Sequence, residues 1–325
     1  MQMPRRSNNT IDFPDKAASG SGYNLTLPED HPQSEQERRR RAWIHKHPIR
    51  ITEVSCRWLE EPVRSTLEHF AALAARSLLI LSGPRQAGQE ELFGELMPSV
   101  ATVDLDDPNS CSAAQDAPKT FLSRNAEKTV LLVLNAHRAP ALLNVLIQSA
   151  GLTDAQADFA APKTVIASMS AELELLKHLS KSECIRLLRI RTLAQGELTG
   201  ISPNFADRLL RLDFPSQLSH DECNRDLILE IAMHGGYPGA RQGTADQCHD
   251  FFHQLIRKIC KFDLAGISRI KNPNSLRKVY RMLAATNGEP LNLSLIASVL
   301  DIGRPLARDC VKALEALYLV EKLPV

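Results

Sequence analysis

The stretch that decides the fold reads Ser77-Leu78-Leu79-Ile80-Leu81-Ser82-Gly83-Pro84-Arg85-Gln86-Ala87-Gly88-Gln89-Glu90. It begins as a short apolar run and stops at a glycine and a proline. A run apolar at successive rather than alternate positions suits a strand covered on both faces, as in a parallel sheet. The residues after Gly88 are helical in pattern, so the segment predicts strand, loop and helix in that order. A phosphate-binding loop in this context is written G-x-x-x-x-G-K-[ST]. Gly83 and Gly88 take its two glycine positions, where the backbone curls and turns its N–H groups and the helix N-terminus toward an anion. The lysine position holds Gln89 and the hydroxyl position holds Glu90.

Working outward, an amphipathic stretch (Val63, Leu67, Phe70, Leu73, Ala74) precedes this segment. Further strand-like runs follow at 100–105, 129–134, 164–168 and 184–190, with helical patterns between most of them. Alternation of this kind implies a parallel sheet flanked by helices on both faces. Beyond about residue 200 the strands cease. Segments 205–212 and 223–233 are helical in pattern, a turn at His234-Gly235-Gly236-Tyr237-Pro238 follows, and another helix spans 246–260. The periodicity then predicts three helices, over 276–285, 293–300 and 305–318. The expected architecture is an α/β core of P-loop NTPase type at 49–200, a helical connector at 201–272 and a winged-helix-like bundle at 273–325.

Residues 1–48 are rich in Asn, Ser, Pro, Gln, Asp and Arg, with little apolar periodicity. A segment that can bury so little surface does not offset its ordering entropy, so an extension without fixed structure is expected there. Its run Glu37-Arg38-Arg39-Arg40-Arg41 could touch nucleic acid or an acidic partner, but a solvated face is the favoured reading. Across the chain, 39 basic side chains balance 38 acidic ones, which leaves no bulk field to draw in nucleic acid. The seven cysteines are scattered, with no C-x-x-C pair, and fit reduced thiols better than a disulfide framework. No stretch approaches the roughly 18 apolar residues of a membrane span. A cytoplasmic protein is expected.

The loop and the segments after it resemble a prokaryotic AAA-type P-loop ATPase family, whose members carry a winged helix and then a nuclease-like C-terminal domain. Gly83-Pro84-Arg85-Gln86, a small residue and Gly88 match the family's loop. Val103-Asp104-Leu105-Asp106-Asp107-Pro108 resembles its second-strand segment and Thr120-Phe121-Leu122 the piece after it. Leu134-Asn135-Ala136-His137-Arg138-Ala139-Pro140 stands where the family writes Asp-Glu-x-Gln-x-x-Pro, the Walker B strand end. Ile166-Ala167-Ser168-Met169-Ser170 takes the place of its sensor strand, and Ser182-Glu183-Cys184-Ile185-Arg186 that of Ser-Leu-Ala-Gly-Arg. Gly235-Gly236-Tyr237-Pro238 matches a Gly-Gly-Tyr/Phe-Pro turn, Phe262-Asp263 stands in for an Arg-Asp pair, and Pro290-Leu291-Asn292 opens the winged-helix segment. Each match alone is weak, but their order over about 57–325 is specific. The sequence ends at Val325, soon after the wing's first strand would begin.

The departures from that family bear on chemistry. Nucleotide hydrolysis in such folds needs charge at set places. Gln89 cannot neutralise phosphates as lysine does. Glu90 replaces the hydroxyl that holds Mg²⁺ and adds an anion; like charges ~4 Å apart at an effective dielectric of about 20 repel by roughly 4 kcal/mol. Leu134 replaces the Walker B aspartate, and Asn135 the glutamate that orients water. Arg186, a candidate arginine finger, keeps its functional type. Gly83, Pro84, Arg85, Gln86, Ala87, Gly88, Gln89 and Glu90 thus form a vestigial phosphate loop. The resemblance implies a degenerate ATPase without hydrolysis, with no cofactor or at most weakly held ATP and Mg²⁺. Such a protein would act through protein or nucleic-acid contacts, as a homo-oligomer or beside an intact AAA relative. One alternative is a divergent ATPase that uses Arg85 and Arg186.

A second alternative is a DNA-binding regulator. Segments 293–300 and 305 onward, joined by Asp301-Ile302-Gly303, read as a helix-turn-helix, with Gly303 permitting the turn. Arg304, Arg308 and Lys312 recur at four-residue spacing and place a basic stripe on the second helix, where it could meet DNA. Cys248, His249 and His253 put a thiol beside an i, i+4 histidine pair with no fourth metal ligand in view, so no metal site is assigned. Ser168 and Ser170 have no His–Asp partners that the sequence identifies.

Overall fold

The run read as the first strand becomes β1 (Ser77–Ser82), with all six residues buried. In this computed structural model, residues 57–178, 182–194, 197, 210, 225–241, 244–268, 270 and 272–323 are described, all within one compact unit, Arg50–Val325. The expected N-terminal extension and the helical pattern at 205–212 lie outside them, apart from Leu210, which is helical.

Five parallel strands form one sheet in the order β2-β3-β4-β1-β5. The others are β2 (Ala101–Asp104), β3 (Val130–Leu134), β4 (Thr164–Met169) and β5 (Ile185–Arg189). Each falls within a residue or two of a sequence-expected run. Helix α1 (Arg57–Ala72) leads into β1, and α2 (Gln89–Leu96) follows the loop. Next come α3 (Pro108–Asp116) and α4 (Pro118–Ser123), and α5 (Pro140–Ser149) lies between β3 and β4. Local chemistry sets several of these starts. Asp107 caps α3 by accepting from the Ser110 N–H, with Pro108 at the first helical position, where its missing donor costs nothing.

Because strand side chains alternate, β1 feeds two cores. Leu78 and Ile80 join Leu131, Val133, Val165, Leu142 and Leu143 on one face. Leu79 and Leu81 join Leu132, Ile166, Leu92, Phe93 and the α1 residues Val63 and Phe70 on the other. Both faces are covered, which is why β1 reads as uninterrupted apolar sequence. The chain is therefore an α/β protein with a P-loop NTPase-type sheet, and its phosphate-loop segment leaves the carboxyl end of β1.

The C-terminal half is helical: α6 (Arg225–His234), α7 (Ala245–Lys258), a π-helical turn (Ile259–Asp263), α8 (Leu264–Ile267), α9 (Pro273–Ala285), α10 (Leu293–Val299) and α11 (Arg304–Ala316). Thr244 and Gln247 close a capping box on α7. Asn272 and Asn292 cap α9 and α10 through their side chains. A third core gathers Leu255, Ile259, Leu264, Leu276, Val279, Ile296 and the buried face of α11 around Ala171 of the α/β layer. Helices α10 and α11 are joined by a short turn, as the sequence pattern predicts, with a different residue at its bend. Asp301 takes the left-handed conformation, at φ 50°, whereas Gly303 is extended, at φ −64° and ψ 140°. Gly303 is thus not what permits the turn. No strand follows α11 among the described residues, so the bundle has three helices and no wing there.

The two halves meet along a defined seam. The Glu172 N–H donates to the Ala316 carbonyl at 2.7 Å and the Leu193 N–H to the Gly236 carbonyl at 2.8 Å. The hydroxyls of Ser82 and Tyr318 lie 2.5 Å apart, and Arg191 forms a two-point pair with Glu321. Gly236 is needed at this seam, because a Cβ there would sit 2.2 Å from the Leu193 carbonyl oxygen.

Candidate functional site

The carboxyl ends of parallel strands are where open α/β sheets bind ligands. The loop after β1 lies there. Gln86 and Gly88 are left-handed, at φ 60° and 106°, and α2 begins at once. Gly83 is needed for packing, since a Cβ would meet the Ile190 carbonyl oxygen at 2.2 Å. Its N–H donates to the Met169 carbonyl.

Gln89 fills the loop from inside. Its Nε2 donates to the Pro84 carbonyl at 2.8 Å, and its Oε1 accepts from the Ala87 N–H at 3.0 Å. One short neutral side chain thus satisfies both a loop donor and a loop acceptor, and it is only 6% exposed. Glu90, at the position of the Mg²⁺-holding hydroxyl, is exposed. Partial burial, with Glu91 and Asp104 nearby, holds its carboxyl above the usual range.

Arg85 is occupied on two sides. Its Nε and Nη2 donate to the two oxygens of Asp263 at 2.8 and 2.7 Å. Its Nη1 and Nη2 donate to Asp106 at 2.7 and 3.1 Å. Two-point guanidinium–carboxylate pairs are among the stronger hydrogen-bonded contacts in proteins. Arg138 joins Asp106 at 3.1 Å, donates to the Leu105 carbonyl and lies over the Phe262 ring. His137 is fully buried, with Nε2 2.9 Å from Asp263 Oδ1 and Nδ1 facing the Ser170 N–H at 3.4 Å. Acceptance at Nδ1 assigns the proton to Nε2, so a neutral imidazole donates to Asp263. With that tautomer, two guanidinium groups balance two carboxylates.

Burial by itself would raise the Asp263 carboxyl. The hydrogen bonds from Arg85 and His137, with the Arg85 charge, outweigh it and hold the group below the usual carboxylate range. Asp106 is held low in the same way by Arg85 and Arg138 against its own burial. Burial likewise opposes the Arg85 charge, but the two carboxylates keep the guanidinium above its ordinary range.

The residues at the sequence-expected Walker B positions are Leu134 and Asn135. Leu134 ends β3, and Asn135, left-handed at φ 56°, donates from Nδ2 to Asp104 at 2.8 Å. Arg186 lies exposed on β5, an edge strand, paired in register with Leu79 of β1 and without an ion pair among the described residues. The loop amide is in use, the buried arginine is paired, and no carboxylate stands at the Walker B positions.

Arg304, Arg308 and Lys312 are exposed on α11 and make no ion pair among the described residues. Asp309, also exposed, interrupts the surface beside them. The rings of His249 and His253 pack 4.5 Å apart on α7, while Cys248 turns inward with its thiol on the Met233 carbonyl. The thiol and the histidines therefore do not converge. Ser170 approaches His137 through its backbone, and its buried hydroxyl has no partner among the described residues. No nucleophile is thus set against the imidazole.

Sequence reasoning passed over Asp106, His137 and Asp263 as a unit. They lie 21 to 178 positions from their partners, and only the fold brings them together. The available signals were that Arg85 and Arg138 persist at motif positions and that Asp106 and Asp263 fall in segments resembling the family's.

Residues 225–325 match the model of a family described as Domain of unknown function (DUF8612). No curated protein matches the chain. Among solved structures, the chain is similar to the Thermotoga maritima RuvB Holliday junction branch migration motor, at 15% identity and a TM-score of 0.38, covering 87% of this chain and 90% of that one. It is also similar to AMPPCP-bound DnaA from Aquifex aeolicus, at 11% identity and a TM-score of 0.32, covering 78% and 86%. A third similarity is to a signal transduction ATPase of the STAND type with a tetratricopeptide repeat sensor from Pyrococcus horikoshii, at 10% identity and a TM-score of 0.31, covering 79% and 39%.

Proposed function

We propose that this chain keeps a P-loop fold as a scaffold, does not turn over ATP, and works through surface contacts with other macromolecules. The observation that carries the reading is the Gln89 amide, which spans the loop from the Ala87 N–H to the Pro84 carbonyl. A phosphate could take that N–H only by displacing a buried side chain and leaving its amide unpaired, at roughly 1–3 kcal/mol. It would then meet Gln89 in place of the loop lysine, Glu90 in place of the metal-holding hydroxyl, and Leu134 and Asn135 in place of the Walker B carboxylates. Reading Arg85 as a substitute for the lost lysine meets a direct obstacle, since two carboxylates already hold that guanidinium.

The test is phosphate release from Mg·ATP by the full chain. Release at the level of a buffer blank is expected, and the Gln89→Lys, Glu90→Thr double variant should stay there because its Walker B positions remain Leu134 and Asn135. Turnover above the blank by the unaltered chain rejects the reading.

A second reading rests on the α11 stripe, whose three cations are exposed and unpaired among the described residues. As the second helix of a helix-turn-helix, α11 would meet duplex DNA through that stripe. Binding to a labelled duplex should weaken with salt, and changing Arg304, Arg308 and Lys312 to Ala should reduce the log–log salt slope by up to roughly 3. A slope unchanged by the triple variant would remove the stripe from consideration.

A further inference from the structure

Asp263 arrives at the loop from an unusual piece of backbone. Helix α7 widens into a π turn over Ile259–Asp263, in which the Leu264 N–H reaches back five residues to the Ile259 carbonyl. Single π turns are rare and recur at functional positions. This one delivers the Asp263 carboxylate to the buried face of Arg85 and lays the Phe262 ring beside three cations, with Lys261 at 4.9 Å, Arg138 at 5.1 Å and Arg85 at 5.9 Å. Asp263 is 0% exposed and Arg85 is 6% exposed.

A buried carboxylate is tolerated only when it is paired and hydrogen-bonded. Here both oxygens are used, Oδ1 by Arg85 and His137 and Oδ2 by Arg85. Each donor belongs to the α/β layer: Arg85 to the phosphate loop, and His137 to the one-turn 3₁₀ helix after β3 (Ala136–Arg138). The acceptor belongs to the helical half.

We infer that the Asp263 carboxylate is a built-in anionic ligand of the degenerate loop, filling a carboxylate-sized site lined by Arg85 and His137 and thereby fixing the C-terminal helices to the sheet. Nucleotide is then not needed to join the two halves. The inference goes beyond the proposed function, since it assigns the arginine a ligand from this chain. It would survive the discovery of nucleotide bound elsewhere.

Changing Asp263→Ala removes the atoms of one formate and leaves the donors behind. The experiment follows thermal unfolding of the full-length wild-type and Asp263→Ala chains in sodium formate, sodium phosphate or sodium chloride of matched ionic strength. In parallel, hydrogen exchange is followed at the Glu172 and Leu193 amides, which donate across the seam. The variant should melt roughly 10 °C below wild type in chloride. It should regain several degrees along a saturating formate curve, as a ligand bound only by the folded state requires. The two amides should lose protection in the variant and recover it with formate, whereas wild type should respond to no anion.

A gain with phosphate as well as formate keeps the proposal and widens the site to oxyanions. Equal responses of wild type and variant to formate, or no response of a variant that folds, overturn it. If Asp263→Ala folds only in formate, the proposal is supported. If it folds in neither medium, Asp263→Asn decides. Its neutral amide keeps the shape but cannot serve two donors as an anion does, so an unchanged melting temperature overturns the proposal.

Discussion

The phosphate loop and the α11 helix both carry arginines at positions a sequence reader would mark for function, and the two regions use them oppositely. At the loop, Arg85 and Arg138 have their charge consumed inside the protein by Asp106 and Asp263. On α11, Arg304, Arg308 and Lys312 are in water, with no opposite charge to hold them among the described residues. A cation already paired below the surface contributes to stability and has little left for a ligand. An exposed, unpaired one contributes little to stability and remains available to a partner. Stability and binding measurements should therefore divide these arginines cleanly.

The largest expected effect comes from breaking the buried side. Arg85→Met strands the Asp263 carboxylate and should destabilise the fold by about 3–5 kcal/mol. Each of Arg304→Ala, Arg308→Ala and Lys312→Ala should lie within about 0.5 kcal/mol of wild type. Urea titrations of the four variants make the comparison, and similar losses at both regions would dissolve the distinction.

How far the sequence reaches also differs between these regions. β1 was legible because a strand buried on both faces must be apolar throughout, as 77–81 nearly is. The five-strand alternation and the C-terminal helices followed from equally local patterns. The buried charge cluster did not. It depends on Asp106 meeting Arg85 across the loop and on a π turn presenting Asp263, and neither has a local periodic signal. The emptied Walker positions could be read from the motif. That Gln89 would bond to Ala87 and Pro84, rather than extend toward solvent, could not. At the helix-turn-helix bend, sequence habit favours glycine for left-handed backbone, yet Asp301 takes that conformation, within the tolerance of a short polar side chain.

The next effect sharpens the comparison through the glycines. Gly83→Ala would drive a Cβ into the Ile190 backbone and should cost about 1–3 kcal/mol. Gly303→Ala has 3.7 Å to its nearest neighbour, Pro305 Cδ, and an ordinary φ, so about 0.5 kcal/mol or less is expected. Melting curves of the two variants test this, and a costly Gly303→Ala would mean that the bend is more constrained than its geometry indicates.

The smallest effect is in acid. Asp106 and Asp263 have folded-state pKa values below their unfolded ones. Their contribution is therefore complete above about pH 4 and is lost as pH falls through the folded values. Arg85→Met removes the cause shared by both depressions, so its stability deficit should shrink as pH falls below about 4. Stability measured for both chains across that range checks the sign, and a gap that stays constant or widens contradicts it.

The most direct test of the central claim is equilibrium binding of labelled ATP to the full chain, with and without Mg²⁺. A loop filled by Gln89, with its arginine already paired, should show no saturable binding up to about 1 mM, a free energy weaker than roughly −4 kcal/mol. Saturation at about 1 μM with one nucleotide per chain, abolished by Gly88→Val, would contradict the account.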